Sequence, residues 1–392
     1  MNAQADLRHS DLSRLTIVVP SYERPQYLAR QIRYWNDRQV ALLIVDGSAR
    51  PLESAQTSGN SRLLYHHHVA SFQHRMLRAC ELITTEFVAL CGDDDLYLPS
   101  GLRACIQRLD QDSGMVGCVG RSLRFSRKRG DLFAQFINRD VADTSKMFAS
   151  GLERVTNTYQ QNKIDNAMYG VYRTSAWRDS VSCTYSLSPS TAYIYEFVLL
   201  LLLPFRGSVG ITNHLTWMAS AENASIMNAS GFNRAIGLLE WMNNSRYADE
   251  VFKVRTAVCD QMARTYNGAR IDLERLIENV FAELCSRYMT KASRGYRLSS
   301  RQILRRLLPI VPNRLKYILK KQLPTGLRDR FAFGIIPWDD LVRELEKSSI
   351  QCDVRELQHF TNVILEDDWN AEYRIRDHSA SECGSIAEID EL

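Results

Sequence analysis

Short apolar runs alternate with longer amphipathic ones over the first 123 residues. "LTIVV" at 15–19 and "ALLIVDGS" at 41–48 are apolar and β-branched, the first ended by Pro20 and the second by Asp46-Gly47. Between them "RPQYLARQIRYWNDR" sets Leu28, Ile32 and Trp35 at spacings of four and three, one face of a helix. "SRLLYHH" and "EFVALC" read as the third and fourth strands, with the helix "FQHRMLRACEL" between them. "LPSGLRACIQRLDQD" is a further helix and "MVGCVG" a fifth strand. Strands and helices that alternate in units of about 25–30 residues predict an α/β fold with a parallel, doubly wound sheet. Ligands of such sheets bind beyond the carboxyl ends of the strands. Ser21-Tyr22-Glu23, Asp46 and Asp93–Asp95 all fall at such ends.

The pattern weakens over residues 121–162, which mix polar, basic and aromatic positions without a clear period and read as a substrate-facing insertion. "NAMYGVYRTSAW" at 166–177 resumes strand character, and "TAYIYEFVLLLLLPFRGSVGI" predicts a buried helix, a turn and a strand. Beyond 231 the periodicity is helical in "AIGLLEWM", "VFKVRTAVCDQMA" and "LERLIENVFAELCSRYM", with two more helices expected from Trp338 and from Asp353. The domain reading is therefore an α/β domain over 14–230, a mostly helical region over 231–375, and an acidic tail expected to be disordered over 376–392.

Composition excludes some classes. The 392 residues are 45% hydrophobic and 24% charged, with a net charge of +4, too small to imply nucleic-acid binding. The nine cysteines are scattered without a CxxC pair, which argues against a zinc ribbon or a disulfide framework and for a reducing compartment. No signal peptide is visible, so the sequons at Asn223, Asn228 and Asn243 carry little weight. "FVLLLLLPF" is about half the length needed to cross a bilayer. The expected location is cytoplasmic.

The chemistry centres on Asp93, Asp94 and Asp95, placed where a strand leaves the core. Like charges this close oppose each other's ionisation. Asp-x-Asp at a strand end is a hard-oxygen site suited to Mg²⁺ or Mn²⁺ shared with phosphates, and such a metal would neutralise a departing diphosphate. The plainer explanation is a cap on the helix starting near Pro99; the strand before the run and the converging strand ends favour the metal site.

"LTIVVPSYERPQYL", "LLIVDGS" and "EFVALCGDDDLYLPSGL", in this order and spacing, resemble the family 2 glycosyltransferases of GT-A fold, clearly over 15–123 and weakly to 217. Within that family they are most similar to a bacterial subgroup with Asp-Gly-Ser and Asp-Asp-Asp motifs. The resemblance implies that Pro20, Ser21, Tyr22, Glu23 and Arg24 wrap the nucleotide of a nucleotide-diphosphate sugar donor and that Asp46 contacts its base or ribose. Gly47 stands where many relatives have a second acid. The resemblance further implies that Asp93, Asp94 and Asp95 meet the donor diphosphate, with Asp93 and Asp95 the metal motif and Asp95 the first choice of ligand. His214 in "GITNHLTW" is a further expected contact to metal or nucleotide. The family's catalytic base lies about a hundred residues after the metal motif, and Glu196 in "YIYEFVLLL" fits that position, with Asp165 as its rival. Apolar neighbours along the chain are expected to raise the Glu196 pKa toward a useful value; alternatively it complements a helix dipole. The implied acceptor is a glycan or lipid-linked glycan of a bacterial surface polysaccharide, and the implied transfer inverts the anomeric centre.

His66, His67, His68 and His74 do not read as a zinc site, because side chains alternate across a strand. Arg75 and Arg78 are expected to be solvated, with a phosphate within reach. Residues 291–321 hold ten Lys or Arg and no Asp or Glu. They suit peripheral contact with anionic lipid, binding of an acidic or lipid-diphosphate acceptor, or pairing with the acidic tail. Two other functions stay open: a nucleotidyltransferase, which would release pyrophosphate, and a non-catalytic scaffold that binds glycan or membrane.

Overall fold

The computed structural model describes residues 11–53, 60–128, 130–137, 150–161, 167–191, 193–222, 237–295 and 335–366. Asp165, Asn223, Asn228, most of the basic segment 291–321 and the tail 376–392 lie outside the described residues. Four strands form a parallel array: β1 (Leu15–Ser21), β2 (Ala41–Asp46), β3 (Leu63–His67) and β4 (Phe87–Leu90). They lie in the order β3-β2-β1-β4, with Ser21 beside Asp46 and Asp46 beside His67. This register brings the carboxyl ends of β1 and β2 level with each other. Between the strands run α1 (Pro25–Trp35) and α2 (Phe72–Leu82), the latter with the bounds its periodicity predicts.

Past β4 the sheet is no longer the purely parallel one expected. β8 (Val171–Arg173) pairs antiparallel with both β4 and β6 (Met115–Lys128), and β6 pairs antiparallel with β7 (Asp131–Ile137). The 121–162 stretch is thus not an irregular insertion in its first half: β6 runs through it, with Leu123 and Phe125 buried and Arg124 exposed between them. Its second half holds α4 (Gly151–Gln161). The two-residue β5 (Leu96–Tyr97) pairs with β9 (Ser208–Ser220), which runs parallel to β6.

Helices cover both faces of the sheet. One apolar cluster joins Ile17 and Val19 of β1 to α1 and to α3 (Pro99–Asp110). The other joins Val18 to α2, α5 (Thr174–Tyr185), α6 (Tyr193–Arg206), α8 (Ala248–Ala263) and α9 (Arg270–Gly295). The short α7 (Leu238–Asn243) packs within this second cluster through Leu238 and Trp241. Residues 335–366 return to the sheet: β10 (Ile335–Pro337) extends its edge at β7, while α10 (Leu341–Lys347) and α11 (Val354–Glu366) bury Leu341, Leu345, Phe360 and Ile364 in the first cluster. No helix among the described residues is long and apolar enough to cross a membrane. Eight cysteines among the described residues are free thiols.

Candidate functional site

The loops after β1, β2 and β4 meet in one crevice. Asp46, 1% exposed at the end of β2, accepts from the Ser48 amide at 3.0 Å and hydroxyl at 2.6 Å on Oδ1, and from the Tyr65 hydroxyl at 2.7 Å on Oδ2. Burial, and then this bond to Asp46, push the Tyr65 hydroxyl pKa upward. The β1 loop is tied to the same network: the Glu23 amide donates to Ser48 Oγ at 2.8 Å, and the Ala49 amide donates to Glu23 Oε1 at 2.6 Å. Glu23 holds a left-handed φ of 55°, unusual for a non-glycine residue and evidence that its surroundings over-determine the loop. Pro20 is half-buried near the strand end, and Tyr22 projects outward at 55% exposure, an aromatic face at the crevice rim.

The aspartate run folds as a turn between β4 and β5 rather than as a helix cap; α3 has Leu98 at its N-cap, with no side-chain capping bond. Asp93 Oδ2 accepts from Ser21 Oγ at 2.8 Å, and its Oδ1 pairs with Arg24 Nη1 at 3.0 Å. The same guanidinium nitrogen lies 3.7 Å from Asp94. Asp95 is met by neutral donors, the Ser220 amide at 2.8 Å and Trp217 Nε1 at 3.2 Å. Burial, followed by the neighbouring Asp94, pushes the Asp93 carboxyl to about 6 against the pull of Arg24 and Ser21. Burial and Asp94 also push Asp95 well above the usual carboxylate range. Burial makes these carboxyls costly to ionise, and their hard oxygens suit Mg²⁺ or Mn²⁺. Among the described residues, however, no group of three or more His, Cys, Asp or Glu side chains is arranged to hold an ion.

Several expectations need correction. Arg75 is not solvated: 4% exposed, it donates from Nη1 to the Ser21 carbonyl and, at 2.9 Å, to that of Val45, and from Nε to Ala70 O at 3.2 Å. It therefore closes the floor between β1 and β2. A Cβ at Gly47 would lie 2.5 Å from Arg75 Nε, which accounts for glycine at this position. Arg78 is exposed and pairs with Glu81. His214 does not join the aspartates: its Nδ1 is 2.8 Å from Thr212 Oγ1, its backbone bridges Gln351, and burial lowers its pKa. The His66 and His68 rings lie 6.0 Å apart at the end of β3, and His67 Nε2 meets Ser48 O at 2.7 Å.

Glu196 sits in the first turn of α6 and is exposed, not enclosed as its neighbours along the chain implied. Adjacent helical positions point about 100° apart, so Tyr195 and Phe197 enter the core while Glu196 faces out. Burial first, then the fields of Asp95 and Glu196, push the Tyr169 hydroxyl pKa upward, and Tyr169 stacks on Trp217 with ring centres 3.9 Å apart. The sequence reading missed Trp217, Ser220 and Gln31, and misplaced Arg75. The signal for Gln31 was a polar residue on the stripe shared by Leu28 and Trp35, whereas Ile32 is only partly buried.

No family model matches the chain, and no curated protein does. Among solved structures it is similar to S. aureus TarS 1-349 in complex with UDP-GlcNAc at 12% identity, over 86% of this chain and 91% of that one, with a TM-score of 0.47. TarS 1-349 in complex with UDP gives 11%, 89% and 89%, with a TM-score of 0.45. The longer S. aureus TarS structure gives 11%, 89% and 54%, with a TM-score of 0.44. A likeness this distant carries no argument about activity.

Proposed function

We propose that the chain is a glycosyltransferase that moves a sugar from a nucleotide-diphosphate donor to a glycan or lipid-linked glycan acceptor of a bacterial surface polysaccharide. The observation that supports this reading is the meeting, at the carboxyl ends of β1, β2 and β4, of the Ser21–Arg24 loop, Asp46 and the carboxyl-rich Asp93–Asp95 turn. The nucleoside would lie along the β1 and β2 loops, with Tyr22 as a stacking face. Asp93 and Asp95 would hold Mn²⁺ or Mg²⁺, which when bound would neutralise the developing diphosphate charge. Arg24 would exchange part of its pairing with Asp93 for a phosphate oxygen. Glu196, exposed and therefore reachable by an acceptor, would take the proton of the attacking hydroxyl as it displaces the diphosphate with inversion. Peripheral membrane contact through 291–321 belongs to the same proposal.

Calorimetric titration with UDP, GDP, CDP and dTDP, each with and without Mn²⁺, tests the reading on wild type and Asp95→Ala. The expected result is metal-dependent binding of one nucleotide, lost in the variant. If a folded wild type binds none of the four, the proposal fails and a non-catalytic scaffold takes its place. Release of pyrophosphate during turnover, rather than a nucleoside diphosphate, would instead identify a nucleotidyltransferase.

A further inference from the structure

We infer that Gln31 is the positioning residue of the aspartate turn: its carboxamide fixes the backbone of residues 92–95 so that the Asp93 and Asp95 carboxyls are presented to the crevice. The identity of the ligand they meet rests on the function proposed above; the geometry does not.

Gln31 is 0% exposed on the inner face of α1. Its Nε2 lies 3.1 Å from Gly92 O, 3.2 Å from Asp93 O and 2.5 Å from Asp95 O, so one amide group gathers three carbonyls of a four-residue turn. A glutamine amide could be turned either way round, but here its orientation is set. Trp35 Nε1, one helical turn on, lies 3.1 Å from Gln31 Oε1, and an indole N–H can only donate. The oxygen must therefore face Trp35, and the NH₂ must face the turn. Cys91 Sγ shares the Asp95 carbonyl at 3.5 Å, and Gly92 leaves room for the fold-back, since a Cβ there would stand 2.8 Å from Asp95 Oδ2.

The same helix grips the turn a second time. Arg24, at the N-cap of α1, pairs with Asp93 and Asp94, two turns before Gln31. Arg24 holds the side chains through charge, and Gln31 holds the main chain through hydrogen bonds. A residue that merely satisfied stray carbonyls would be needed for the core at large. A positioning residue controls this turn and leaves the nucleoside-facing loops of β1 and β2 alone.

The 392-residue chain and its Gln31→Leu and Trp35→Phe variants separate the two roles. In the ligand-free proteins, hydrogen exchange of the 92–97 amides is expected to quicken by about tenfold in Gln31→Leu, with β1 and β4 within about twofold of wild type. Trp35→Phe, which frees the amide to turn over and also removes buried indole volume, is expected to change the same amides by less. With Mn²⁺, Gln31→Leu is expected to lose about tenfold in affinity for whichever of UDP, GDP, CDP or dTDP wild type binds, and to bind the corresponding nucleoside within about twofold of wild type. Exchange that is unchanged at the turn, or that rises equally across β1 and β4, overturns the inference, as does an unchanged diphosphate affinity. Should wild type bind none of the nucleotides, the transferase reading falls, and the exchange data alone decide the role of Gln31. Should Gln31→Leu not fold, Gln31→Met, which keeps the length of the side chain and removes the amide, carries the same comparison.

Discussion

The guanidinium of Arg75 occupies the volume that any side chain at position 47 would need, 2.5 Å from where a Gly47 Cβ would stand. Arg75 cannot easily yield, because three main-chain carbonyls, of Ser21, Val45 and Ala70, hold it in place. Gly47→Ala is therefore expected to destabilise the protein by about 1–3 kcal/mol, from disturbed packing and stranded carbonyls. Arg75→Ala alone should cost a similar amount. The double variant should cost clearly less than the sum, because the three atoms nearest the new methyl all belong to Arg75 and are gone with it. Urea unfolding of the four proteins measures this coupling, and strict additivity would refute it.

The Asp93 carboxyl titrates near 6 in the folded protein, raised by burial and by Asp94. Its value in the unfolded chain is about 3.9. Below about pH 4 it is protonated in both states and costs nothing; as the pH rises through about 6, folding must ionise a buried group and stability is lost. Asp93→Asn mimics the protonated form. With divalent ions removed, the variant should gain stability over wild type progressively between about pH 4 and pH 6 and then level off, by an amount of about 1–3 kcal/mol. Thermal melts of both proteins across this range test it. A difference that does not change with pH would show that Asp93 is not the titrating group.

The predicted base has its own signature. Glu196→Gln keeps the shape of the helix start and removes a group that can accept a full proton. If Glu196 deprotonates the acceptor, turnover should fall by about 10²–10⁴-fold while binding of the nucleoside diphosphate stays within about twofold. Single-turnover rates alongside calorimetry separate the two effects. Loss of nucleotide affinity in step with turnover would move Glu196 from the chemistry to donor binding.

Much of this site was legible along the chain because strand ends and turn carboxylates are local features. "LTIVV", "ALLIVD" and "FVAL" all fall within strands of the parallel array, with the polar residues at their ends. What could not be read is non-local. Arg75 looks like one more helix charge until the carbonyl ends of β1 and β2 are brought to it, and Gln31 acquires its role only when the turn folds against α1. Glu196 was misjudged in its surroundings because apolar neighbours in sequence are not neighbours around a helix. The β6–β7 hairpin was missed even though Leu123, Arg124 and Phe125 alternate, because basic residues on its outer face hid the period.

The return of residues 335–366 to the sheet makes a last prediction. Phe360 of α11 meets Phe125 of β6 edge-on at 5.1 Å and stacks on Trp338 at 5.5 Å. Phe360 is 0% exposed, so the contact joins the chain's last described helix to the centre of the first apolar cluster. The same helix reaches the flanks of the aspartate turn: Glu356 accepts from the Ser100 amide at 2.7 Å, and His359 lies 5.2 Å from the Tyr34 ring. Phe360→Ala should cost about 3–5 kcal/mol. If α11 belongs to the same cooperative unit as the sheet, that loss should appear as one shifted urea transition, read alike by tryptophan fluorescence and far-ultraviolet circular dichroism. Two separated transitions, with the larger one unmoved, would show instead that residues 335–366 unfold on their own and that α11 does not brace the site.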